Sequence, residues 1–103
     1  MGSEREAQFR KLAADHPDSP MVHFSLGKLL IDERRYAEAV ESLRTAVALQ
    51  KDYAAALVAL GDALAGAGRR DEARQVLEGA RDTALAQSHP SLAEEIAERL
   101  AEL

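Results

Sequence analysis

Leu26-Gly27-Lys28-Leu29-Leu30 and Leu60-Gly61-Asp62-Ala63-Leu64 decide how this chain is read. The two stretches lie 34 residues apart, and the same offset lays Glu38 on Glu72, Ala39 on Ala73, Leu43 on Leu77 and Ala46 on Ala80. A fixed period of about 34 residues is the mark of a helix–turn–helix repeat, in which each unit buries its apolar face against the next. Gly27 and Gly61 fall in mid-helix, where glycine costs roughly 1 kcal/mol relative to alanine. Such a cost at two equivalent places implies a close approach of another element. The small Ala39 and Ala73 are the expected facing residues, with Leu26, Leu30 and Leu43 and their equivalents Leu60, Leu64 and Leu77 filling the space around them.

Outward from these stretches, six helices are expected. The first spans about Ser3 to Asp15 and ends at His16-Pro17. Ser19 is placed as N-cap and Pro20 as first residue of the second, which runs to about Asp32. The third extends from Arg35-Tyr36 to about Gln50, and the fourth from about Tyr53 to Ala65, stopped by Gly66-Ala67-Gly68. The fifth opens on Asp71-Glu72, acids that suit the positive end of the helix dipole, and reaches Ala86 or Gln87. The sixth begins at His89-Pro90-Ser91, with Ser91 and Glu94 at capping-box spacing. Short connections force neighbouring helices to run antiparallel.

The Leu-Gly pairs, the small residue twelve positions after each glycine, and the Leu43/Leu77 and Ala46/Ala80 pairs resemble the tetratricopeptide repeat. The resemblance implies an all-α fold, a right-handed helix–turn–helix superhelix or α-solenoid of about six helices. It divides a single domain, 1–103, into an N-terminal helix (1–17), a first repeat (18–53), a second repeat (54–87) and a C-terminal capping helix (88–103). The sequence departs from the family at His23 and Leu57, where tryptophan is usual, and at Leu30 and Leu64, where tyrosine is. Arg34 stands where a turn glycine is common, which predicts a strained turn. Glu94-Glu95 occupy the next Leu-Gly place, so the last helix is expected to leave the pattern and close the stack.

Composition bounds the function. With 103 residues, 30% charged and a net charge of −5, binding to nucleic acid or to an anionic membrane surface is not expected. The absence of cysteine excludes disulfides, zinc–thiolate sites and thiol chemistry. No apolar run could span a bilayer, and a soluble, cytoplasmic protein is the expectation. His16, His23 and His89 are scattered without the pairing of a metal site, and Gly66-Ala67-Gly68-Arg69-Arg70 lacks the ending of a phosphate loop. No enzyme, no metal and no cofactor is expected.

In the tetratricopeptide family the first helices of successive repeats line a concave groove that takes peptides or helices of other proteins. By that resemblance Phe24, Lys28 and Ile31, then Val58, Asp62 and Ala65, would line the groove here. The family's carboxylate-clamp version is poorly matched, because it wants lysine where Phe24 stands and asparagine where Lys28 stands. Two further readings come from the residues themselves. Arg34, Arg35, Arg69 and Arg70 in equivalent turns could form an edge for an acidic partner. The second helix lacks a covering helix from a preceding repeat, so Met21, Phe24 and Ile31 could pair two chains as a homodimer.

Overall fold

The computed structural model describes residues 3–103; Met1 and Gly2, placed by the sequence in the N-terminal unit, lie outside them. The described residues form six helices: α1 (Ser3–Asp15), α2 (Pro20–Asp32), α3 (Tyr36–Leu49), α4 (Ala54–Gly66), α5 (Arg70–Ala86) and α6 (Pro90–Glu102). Each packs mainly on its neighbours in sequence, with a lesser contact between α2 and α4. The chain is thus a stack of antiparallel hairpins.

The residues repeated at 34 positions are the ones that hold the stack together. Leu30, Leu43, Leu64 and Leu77 are fully buried, as are Ala39, Ala46, Ala73 and Ala80. Leu26, Leu30, Ala39, Val40 and Leu43 merge with Ala59, Leu60, Ala63, Leu64 and Ala73 into one cluster across both repeats. Val58, Leu77, Ala80, Ala84, Ala93 and Ile96 form a second cluster under α6.

The close approach at the glycines differs from the expected one. A Cβ on Gly27 would lie 2.5 Å from Leu43 Cγ, and one on Gly61 would lie 2.5 Å from Leu77 Cδ2. The leucine sixteen positions on, not the alanine twelve positions on, occupies the notch. Ala39 and Ala73 are wholly enclosed within the main cluster.

Three helices end in the same left-handed closure. Arg34 (φ 59°), Gly68 (φ 80°) and Ser88 (φ 57°) each adopt a conformation that suits glycine. In each case the following N–H donates back to a carbonyl five residues earlier: Arg35 to Leu30, Arg69 to Leu64 and His89 to Ala84, all at 2.8 Å. The strain predicted at Arg34 is therefore present. Gly66 serves a different need, since a Cβ there would fall 2.5 Å from the ring of Tyr36.

Two further expectations for α6 are corrected. Its N-cap is His89, with Pro90 as first residue, so Ser91 does not cap it. The place in α6 that answers to the Leu-Gly pair is also displaced, by two residues from Glu94-Glu95. The helix begins 36 residues after α4, where α4 begins 34 after α2, because α5 is 17 residues long against the 14 of α3 while the loop that follows it (87–89) is one residue shorter than its counterpart (50–53). In that shifted frame Ile96 takes the place of Leu26 and Leu60, Ala97 that of Gly27 and Gly61, and Leu100 that of Leu30 and Leu64. Ile96 is fully buried, as the frame requires.

Candidate functional site

The residues expected to line a groove lie on α2 and α4, the first helices of the two hairpins. Phe24 is half-buried, and its ring lies against Tyr53 with centroids 5.2 Å apart and planes tilted by 44°. Burial pushes the Tyr53 phenol above its ordinary pKa. Ile31 and Ala65 are also half-covered, packed on the main cluster, while Lys28 is exposed. Val58 is buried in the second cluster and presents little surface. Asp62 is half-exposed and accepts a hydrogen bond from Arg99 Nε at 2.9 Å.

Asp62 and Ala65 are brought together with α6. Along with Leu77, Arg99, Glu102 and Leu103 they line a cleft of ≈ 220 Å³ between α4 and α6. The floor is apolar and the rim carries two carboxylates and one guanidinium. Sequence reasoning missed Tyr53, Arg99 and Glu102 as neighbours of this surface. The signal for the last two was the frame shift at α6, visible only once the length of α5 is known.

The apolar face of α2 is less open than expected. Met21 is 66% exposed, but Phe24 and Ile31 rest on the stack, and Phe24 is further covered by Tyr53. His23 sits on the half-buried border and its Nε2 lies 2.9 Å from the Pro17 carbonyl oxygen, which ties down the α1–α2 loop.

At the opposite end of α2 the arginines are largely engaged. Arg35 pairs with Glu38 (2.5 Å), with Glu33 (3.1 Å) and with Glu6 of α1. Arg69 repeats the pattern 34 residues later by pairing with Glu72 at 2.8 Å. Helix-to-helix bridges repeat too: Arg10 reaches Glu38 at 3.8 Å, and Arg44 reaches Glu72 at 3.0 Å. Arg35, then Arg10, hold the Glu6 carboxyl down to about 2, and Arg35 lowers Glu38 in the same way. Arg34 and Arg70 remain exposed. Of the four expected edge arginines, Arg35 thus ties α1 to the stack and Arg69 is held by Glu72 of its own helix. Among the described residues no group of three acidic, histidine or cysteine side chains could hold a metal ion. None of the described helices is long and apolar enough to cross a membrane.

Two family profiles, both described as tetratricopeptide repeat, match the chain, one over residues 30–93 and the other over residues 6–50. The chain belongs to the tetratricopeptide repeat family. Its fold is similar to the solution structure of protein BPP2914 from Bordetella parapertussis, with a TM-score of 0.82 and 26% sequence identity. That likeness covers 94% of this chain and 84% of the other. No curated protein matches the chain in sequence. Tetratricopeptide repeats generally mediate contacts between proteins, which agrees with a surface built from helix faces and ion pairs.

Proposed function

We propose that the protein is a non-catalytic interaction module that receives a peptide or helix of a partner along α2, α4 and α6. One observation carries the reading: the first helices of successive units present half-covered apolar side chains, Phe24, Ile31 and Ala65, interleaved with the charges of Lys28 and Asp62. Partly exposed apolar surface bordered by charge is the make-up of recognition surfaces. Phe24 and Tyr53 form a rigid aromatic pair, the kind of group that anchors a partner at little entropic cost.

The test is selection of random dodecapeptides displayed on phage against the wild type, followed by binding to Lys28→Glu and Phe24→Asp variants that remain helical. Enriched peptides that lose affinity for both variants support the groove. No enrichment, or peptides indifferent to both changes, sinks it. Self-association through α2 is the second reading, favoured by the exposure of Met21. Sedimentation equilibrium separates the two, because a dimer that dissociates in Met21→Asp would place the self-contact on that face.

A further inference from the structure

Resting on the groove reading, we propose that the cleft between α4 and α6 is an anchor subsite for an aliphatic or aromatic side chain flanked by lysine or arginine. The cleft measures ≈ 220 Å³ and its floor is made by Ala65, Leu77 and Leu103. That is below the roughly 300–1,000 Å³ of small-molecule sites, and suits one side chain of a longer ligand. Leu77 and Leu103 belong to the packed clusters, so an apolar group entering here extends the core.

The preference for basic neighbours follows from the rim. Arg99 is the one cation of α6, and its Nε is already hydrogen-bonded to Asp62 at 2.9 Å. That pair fixes one wall of the cleft and cancels both charges. Glu102 remains on the rim, and Glu94, Glu95 and Glu98 lie exposed on the same helix. Among the described residues none of these four forms an ion pair. Glu102 is thus the uncompensated charge on the rim, on a helix rich in carboxylates and in a chain whose net charge is −5. A cation beside the anchoring side chain gains from this charge, and an acidic neighbour is repelled.

The phage library of random dodecapeptides is again the probe. Enriched peptides carry leucine, isoleucine, methionine or phenylalanine next to lysine or arginine, and replacing that apolar residue by alanine weakens binding at least about tenfold, the scale of one anchor lost. Ala65→Phe fills the cleft and gives a similar loss. Glu102→Lys, an exposed change that spares the packing, weakens basic peptides and strengthens versions with glutamate flanks. Arg99→Ala releases the Asp62 carboxylate and raises both the basic preference and its salt dependence. Peptides that depend on Phe24 and Lys28 but ignore Ala65→Phe and Glu102→Lys would leave the groove reading intact and overturn the subsite. Dependence on flanking charge without dependence on the apolar residue would overturn it equally. An empty selection sinks both.

Discussion

Leu77 fills the notch at Gly61 so closely that a Cβ on the glycine would lie 2.5 Å from Leu77 Cδ2, and Leu43 meets Gly27 in the same way. Repeat spacing here is a statement about one leucine and one glycine on facing helices.

Substituting that glycine is accordingly costly. Gly61→Ala destabilises the protein by about 1–3 kcal/mol through overpacking, because the new Cβ would lie 2.5–2.6 Å from Leu77 Cδ2 and Cγ and the buried leucine must be displaced. In a Leu77→Ala background the same substitution is nearly neutral. A double-mutant cycle by urea unfolding measures the coupling, and additive effects would refute the contact.

Arg34→Gly works in the opposite direction. Arg34 stands at φ 59°, where glycine carries no Cβ penalty. Its replacement raises stability by about 0.5–1 kcal/mol, the turn's gain outweighing the flexibility added to the unfolded chain. The melting temperature rises by roughly 2–6 °C. Ser88→Gly behaves alike, and Gly68→Ala does the reverse. A drop in melting temperature for Arg34→Gly would contradict the geometry.

The attachment of α1 depends on acid. The Glu6 carboxyl is 16% exposed and is held down to about 2 by Arg35 and then Arg10, against 4.5 for the ordinary group. A depressed folded value means the contribution is complete above about pH 4.5 and is lost as the pH falls towards 2. Amide exchange in α1 therefore accelerates relative to α3 across that window. Arg35→Met removes the acid sensitivity specific to α1; unchanged exchange profiles in the variant would show that the network does not hold the helix.

Ile96→Ala tests the frame assigned to α6. Its side chain is fully buried beside Leu77, Ala80 and Ala84, so truncation costs about 2–4 kcal/mol. Glu95→Ala, one position away and exposed, changes stability by less than about 0.5 kcal/mol. Equal effects at the two positions, read by thermal unfolding, would place the helix in another rotation.

Most of the helical plan was legible because its signals are local. Ser19 accepts a hydrogen bond from the Val22 N–H at the predicted start of α2, and Pro20 is its first residue. Gly68 terminates the fourth helix as its position suggested. Three things were not legible. Side-chain reach decided that leucine rather than alanine meets each glycine, and spacing along one helix says nothing about reach across to another. Three extra residues in α5, less one in the loop after it, moved α6 two places out of the 34-residue register, so that Glu94-Glu95 fell where the Leu-Gly pair was expected. The pairings of Arg69 with Glu72 and of Arg35 with Glu33 and Glu38 are local, but the bridge from Arg35 to Glu6 of α1 joins residues 29 apart, which no single window contains. The candidate groove shows the same limit: Phe24 and Asp62 were identified, but their partners Tyr53 and Arg99 come from elsewhere in the chain.

Because every helix rests chiefly on the one before and the one after it, the loops that must close during folding are short. Folding can begin in either central hairpin and spread outward by adding one helix at a time, with little entropy lost at each step. Loss of order runs the same path backwards. Among the described residues α1 makes the lightest helix contact, on α2, so α1 peels away before the hairpins of α2–α3 and α4–α5 and gives proteases their first foothold.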